Sequence, residues 1–205
     1  MQFERRGAFL GLIVDEILQR TEITMLQTLK SMIGDSGIGL GFEYTTHRSI
    51  LQSISSYWCL QLNGTAHNSK TAIKISLNGL VVRHVRTIAD LTSLAVGEYG
   101  LPTISSFPFG GAFVRLEDGR LVVIQATISD KHKADVTKRN KIASSANVKK
   151  DKMVLLVILP VDKIPWFSYN DTVNDMPQYI STCVPQATDA AIIKLRTKKR
   201  SIGLI

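Results

Sequence analysis

Gln125 and Thr127 stand two residues apart in an extended run, a spacing that puts both side chains on one face of a strand. The run, Leu121 to Ser129, opens with β-branched and apolar residues before its polar ones appear. Ahead of it lie a first extended segment, Gly111 to Leu116, and the turn signal Glu117-Asp118-Gly119-Arg120. The pattern predicts a hairpin with Val123, Gln125 and Thr127 on one face and Ile124, Ala126 and Ile128 on the other. Polar residues on one face of an otherwise apolar hairpin either satisfy local hydrogen bonds or mark a site. Gln125 could lend a neutral amide oxygen, a weak metal ligand, and Thr127 a hydroxyl without positive charge. His132 is the nearby titratable group. It suits a general base near neutral pH, and it equally suits a structural role at the hairpin's end.

A wider string surrounds the hairpin. Tyr99-x-x-Pro102 is followed by Ser106-Phe107-Pro108, then by Ile124-Gln125-Ala126-Thr127-Ile128-Ser129 and His132. This string resembles the C-terminal domain of the retrotransposon hot spot proteins of parasitic protists, and the related Crinkler effectors of filamentous pathogens. Their pattern runs Y-x-P, F-P-x-x-D-x-F, then a strand ending Q-x-T-x-S-x-x-H. The match is specific from residue 97 to 133, fair to about 183, and weak over 1 to 96. The resemblance implies an α/β (α+β) fold of restriction-endonuclease-like type, a mixed sheet flanked by helices. In such a core an acid on one strand and an E-x-K pair on the next converge on a divalent metal.

The departures from that pattern fall on the chemistry. The Asp of F-P-x-x-D-x-F falls on Gly111, the helical acid of a G-x-x-F-E pattern falls on Gly11, and the E-x-K pair has become Gln125-x-Thr127. Phosphodiester cleavage with Mg²⁺ needs carboxylates on the metal and positive charge on the developing phosphate. The resemblance therefore implies a degenerate, non-catalytic nuclease site with no cofactor. An active Mg²⁺ enzyme would need relocated groups. Asp15, one helical turn beyond Gly11, its neighbour Glu16, and Asp118 in the hairpin turn are the acids available. Lys131 or Lys133 would then reach back from the strand end.

Charge supports a polyanionic partner. The chain of 205 residues has a formal charge of +8. Residues 131 to 152 hold eight Lys/Arg against two acids, and KLRTKKR at 194 to 200 holds five with none. These stretches carry +11 between them, so the remainder is about −3. Clustered cations are the electrostatic footprint of nucleic acid. The candidate contacts are Lys131, Lys133, Lys138, Arg139, Lys141, Lys149, Lys150, Lys198, Lys199 and Arg200. A solvated face is the bland alternative. KLRTKKR also fits a nuclear localisation signal, which points to the nucleus, or to a secreted effector acting in a host nucleus. A third reading is a protein-interaction domain whose partners are transcription or host nuclear factors. The longest apolar run is too short to span a membrane. Cys59 and Cys183 have no metal or redox spacing and read as buried or incidental thiols. His47 and His67 are isolated and read as surface or locally bonded histidines.

The elements that must position these residues follow from periodicity. Length and an apolar content of 44% support a single domain over 1–205, with 194–205 as a basic tail. The first helical pattern, 3 to 33, begins so close to Met1 that the chain reads as a possible piece of a longer multidomain protein. Gly34 and Gly37 to Gly41 read as the end of that pattern. Residues 42 to 63 are ambiguous, since Ile50, Leu51, Ile54 and Trp58 fit a helix while Trp58 to Leu62 also fit a strand, and Ala66 to Lys70 reads as polar turn. Ala72–Leu77, the turn pair Asn78-Gly79 and Leu80–Val85 predict a second hairpin. Ile88–Ala95 predicts a short helix, 133–147 a basic amphipathic helix, and Met153–Leu159 a buried strand stopped by Pro160. Trp166, Phe167 and Tyr169 form an aromatic cluster that suits core packing better than base stacking. Gln178–Val184 predicts a last strand and Ala187–Leu195 a last helix.

Overall fold

A computed structural model describes residues 24, 27–28, 30–32, 34–52, 56–63, 66–77, 79–103, 107, 110–129, 131–133, 135–160, 163–164, 167–170 and 176–182; at 35–36, 56–58, 60–63, 66–74, 131–133 and 168–170 it describes backbone alone. Of the helical pattern predicted over 3–33, residues 3–23 lie outside the described residues, as do the helix predicted at Ala187–Leu195, Trp166 and Cys183. The chain divides into two compact units, Thr46–Cys183 and Met1–Thr45 with Val184–Ile205. The first holds the sheet.

The fold is mixed α/β. Helix α1 (Asp35–Gln52) precedes β1 (Ser56–Asn63), β2 (Ala66–Ser76) and β3 (Val81–Val85). A 3-10 turn (Ile88–Ser93) leads to β4 (Glu98–Pro102), β5 (Ala112–Arg115), β6 (Leu121–Ala126) and β7 (Lys131–Lys133). Helix α2 (Val136–Ser145) and a 3-10 turn (Lys150–Lys152) precede β8 (Met153–Ile158), β9 (Ser168–Asn170) and β10 (Gln178–Ser181). Eight strands form one mixed sheet in the order β2-β1-β10-β8-β6-β5-β4-β3, and β7 pairs with β9 alone.

The centre of the sheet follows the sequence pattern closely. Glu117 to Arg120 turn the chain as predicted, with Gly119 at φ +81, a backbone angle that glycine reaches without a Cβ clash. Asp118 Oδ1 accepts the Arg120 N–H at 3.1 Å and its Oδ2 meets Arg120 Nε at 2.7 Å. The hairpin pairs Ala112 with Ile124 and Arg115 with Leu121. Strand β6 then lies parallel to β8, with Leu121 opposite Met153 and Gln125 opposite Val157. Every residue of β8 is buried, which explains its unbroken apolar run.

Parallel strands need a crossover, and α2 supplies it. Asp135 caps the helix by accepting the Lys138 N–H at 3.1 Å. At the other end Asn147 adopts φ 51. Asn147 N–H donates to Ser144 O and Val148 N–H to Ala143 O, a Schellman closure. The inward side of α2 (Ile142, Ala143, Ala146) packs into a core with Phe113, Val123, Leu155, Val157 and Phe167. Phe167 thus belongs to the core, as the aromatic cluster suggested. Arg115 ties the layers together: its guanidinium donates to Leu94 O, Leu91 O and Ala146 O.

Three expectations are corrected. The glycines of 37 to 41 do not end a helix; α1 runs through them, and the break falls on Gly34 at φ +66. Gly37 and Gly41 are buried one helical turn apart, so tertiary burial outweighs their cost of about 1 kcal/mol each in a helix. Residues 66–70 are strand rather than turn, paired with β1 through Asn63 and Ala66. The Asn78-Gly79 hairpin is absent as a pairing. Gly79 does turn, at φ +62, but β2 takes its hydrogen bonds from β1, while β3 lies parallel to β4. The two strands are the opposite edges of the sheet. Five Cα steps from Ser76 to Val81 span at most about 19 Å, whereas eight flat strands would be about 34 Å wide. The sheet must therefore curl, and a cavity of about 390 Å³ lined by Ile75, Leu80, Val96, Val114 and Leu116 sits where its ends approach.

Gly110 is a tight point under the hairpin. A Cβ there would lie 2.5 Å from Val123 Cγ1, and a buried valine has little freedom at χ1. Gly110→Ala is expected to destabilise the protein by about 1–3 kcal/mol, read as a lower urea midpoint at unchanged slope.

Candidate functional site

The candidate site lies where β6 ends. Gly111 donates its N–H to Ile124 O at 2.9 Å, so it sits beside the residue that precedes Gln125. Gln125 is half-buried, at the edge of the core face that carries Phe113 and Val123. Thr127 falls just past the strand. Its N–H donates to Ile158 O at 3.0 Å and its Oγ1 accepts the Ser129 N–H at 3.1 Å. That hydroxyl closes a local turn. The opposite face of β6 is also buried, through Val122 and Ile124.

Lys131, His132 and Lys133 form β7, in register with Ser168, Tyr169 and Asn170 of β9. They are therefore a separate strand and not a continuation of β6. Their side chains lie outside the described residues, as do Asp15, Glu16, Lys198, Lys199 and Arg200. Asp118 stands at the far end of β6. Four strand steps from Leu121 to Gln125 already span about 13 Å, so the structure does not bring Asp118 to Gln125. Among the described residues no three of His, Cys, Asp or Glu gather as a metal-holding group.

The basic residues divide by burial. Lys138 and Lys141 are exposed on the outer side of α2, and Lys149, Lys150 and Lys152 are exposed before β8. Because α2 carries the chain back from the end of β6 to the start of β8, Lys138 and Lys141 lie on the helix, and Lys149, Lys150 and Lys152 lie beyond its C-terminal end. They do not gather at Gln125. Lys149 and Lys150 stand at the Asp118 end, where the positive charge of Lys152 is felt by the Asp118 carboxylate. Arg139 corrects its expected role: only 2% exposed, it faces inward on α2, with Nη2 donating to Asn140 Oδ1 at 3.2 Å. Helical spacing places 139 with Ile142, Ala143 and Ala146 on the core side, and this was readable in the sequence.

Sequence reading missed one buried polar pair. His47 Nδ1 and the Tyr99 hydroxyl lie 2.6 Å apart, joining α1 to β4 with both side chains buried. His47 is thus a bonded interior histidine. Tyr99 belongs to the quoted motif, but no local pattern named its partner. Cys59 is buried, and burial pushes its thiol up to about 12 against hydrogen bonds from Ser181 and Ile75, so it is an unreactive thiol.

The acids nearby are tied to turns. Burial raises Asp118, but the Arg120 N–H and guanidinium outweigh it and hold the carboxyl below its ordinary value. Asp90 is lowered by the N–H groups of Thr87 and Arg86, Glu98 by the Ala95 N–H and Arg83, and Asp135 by the Lys138 N–H.

Comparison with protein-family models, curated proteins and solved structures yields no match. Among the described residues no helix is long and apolar enough to cross a membrane.

Two outcomes follow. Arg139→Ala is expected to cost about 2–4 kcal/mol in urea unfolding, while Lys138→Ala stays within about 0.5 kcal/mol. Second, because these folded carboxyl pKa values lie below the unfolded ones, their stabilisation is present above about pH 4 and is lost as pH falls through the folded values. Unfolding midpoints measured from pH 6 to pH 2 should drop on the acid side, and Asp118→Asn should flatten that drop.

Proposed function

We propose that this chain is a nucleic-acid- or chromatin-associated domain of the retrotransposon hot spot and Crinkler type, acting in the nucleus and carrying a degenerate restriction-endonuclease-like site. The observation that carries the reading is the hairpin at the centre of the sheet. Gly111 and the strand bearing Gln125 are hydrogen-bonded neighbours, and these are the positions to which the resemblance assigns the acid and the first member of the E-x-K pair. The crossover from β6 through α2 to the parallel β8 is in keeping with a nuclease-like core. Gly111, Gln125 and Thr127 contribute no carboxylate and no cation.

On this reading the working surface is electrostatic. The exposed lysines of α2 and of the turn before β8 meet backbone phosphates, which are sequence-independent partners. Four phosphate contacts from Lys138, Lys141, Lys149 and Lys150 give a slope of about −3 to −4 in log affinity against log salt. The tail residues Lys198, Lys199 and Arg200 would steepen it. A gel shift with duplex and single-stranded DNA at several salt concentrations tests this. Replacing the four lysines by Gln should weaken binding and flatten the slope, and an affinity unchanged by salt would overturn the proposal. Incubating plasmid with Mg²⁺ or Mn²⁺ should yield no cleavage. Cleavage that disappears in Asp15→Ala or Glu16→Ala would establish instead an enzyme with relocated ligands.

A further inference from the structure

Strand β3 is an edge of the sheet, and its hydrogen-bonding groups are divided between two sides. Val81 N–H donates to Gly97 O at 2.9 Å and Val85 O accepts the Thr103 N–H at 3.0 Å. The odd-numbered residues therefore serve β4, and alternation turns the N–H and C=O groups of Val82 and His84 outward. Natural edges are blunted by charge, proline or bulges. Here Arg83 is engaged with Glu98 at 3.0 Å and with Ser93, while Val81 and Val82 remain 68% and 41% exposed. Val82, His84 and Arg86 share one face, and among the described residues the side chains of His84 and Arg86 have no salt-bridge partner. Asp90 accepts the N–H groups of Arg86 and Thr87, and Glu98 that of Ala95, on the flanks of the 3-10 turn.

We infer that β3 is a docking edge for an extended acidic segment of a partner protein, which adds as a further strand. Main-chain hydrogen bonds to Val82 and His84 would supply affinity. A small apolar residue opposite Val82, with carboxylates two and four residues away on the same face, would match the side chains. A second copy of this chain fits less well, since antiparallel pairing of β3 about its centre sets Arg83 against Arg83, and like charges directly opposite are unfavourable.

The test uses fluorescent peptides that alternate Thr with Val or Glu, against the same peptides with Lys for Glu, measured by anisotropy on the full chain. The acidic peptide should bind about tenfold more tightly than the Lys version, and Arg86→Glu should remove that preference. Val82→Pro deletes an outward donor and leaves the bonds of Val81 and Val85 to β4 in place, so it should abolish binding while the circular dichroism and melting curve persist. If that variant melts early, peptides N-methylated at alternate residues replace it and should fail to bind. Equal binding of acidic and basic peptides, full binding of a folded Val82→Pro or of the methylated peptides, or concentration-dependent dimers that Arg83→Glu strengthens would overturn the inference.

Discussion

The parallel pairing of β6 and β8 is the constraint on which the sheet unit depends. Two parallel neighbours cannot be closed by a tight turn, so the chain must leave the sheet after Ala126 and return before Met153. The helix that makes this return covers one face of the same two strands. Its inward residues become core, its outward ones become surface, and the division is set by a helical period fixed against the sheet. Arg139 on the inside and Lys138 and Lys141 outside are products of that one geometric requirement. Arg115 then holds the end of the crossover by donating to carbonyls at the close of α2 and of the 3-10 turn, where helix termini leave acceptors without intrahelical partners.

What could be read from the sequence was what neighbouring residues decide. The Asp-Gly turn, the alternating and continuous apolar runs of β6 and β8, and the basic helix between them each carry a short-range signal. What could not be read was which distant strand wins a hydrogen-bonding edge. Asn78-Gly79 has the composition of a hairpin turn, yet β1 reaches β2 first through the short Asn63–Ala66 connection, and β3 is left to pair with β4. A turn residue sets local φ and ψ; it does not choose partners. The glycines of α1 mislead for a related reason, since burial of Gly37 and Gly41 is a tertiary fact that outweighs a weak local preference. At the candidate site the sequence was informative about one position only. Gln125 could be placed on a core face, but the closure of Thr127 on Ser129 depends on where β6 stops.

The two ends of β6 separate two kinds of surface. At its C-terminal end Gly111, Gln125 and Thr127 present neutral groups. At its N-terminal end the Asp118 turn stands near Lys152, with Lys149 and Lys150 close by in sequence. A helix that returns antiparallel to the strands carries Lys138 and Lys141 between these ends. Lys138 and Lys141 stand about 4.5 Å apart along the helix axis, at 1.5 Å per residue, and Lys149, Lys150 and Lys152 follow beyond the helix end. These cations lie apart from Gln125, so their electrostatics do not depend on the groups at the end of β6.

The carboxylates around the sheet sharpen this asymmetry. Asp90, Glu98, Asp118 and Asp135 each accept a backbone N–H from a turn or helix start, and each has its pKa lowered. A carboxylate fixed in that way stabilises local structure and points back at its own loop. Lys138 has Asp135 at 3.5 Å, but among the described residues Lys141 and Lys149 have no acid within salt-bridge reach. These four acids serve the fold, Lys138, Lys141, Lys149 and Lys150 lie on the solvent side, and the local balance of charge follows from how those turns are built as much as from the number of cations.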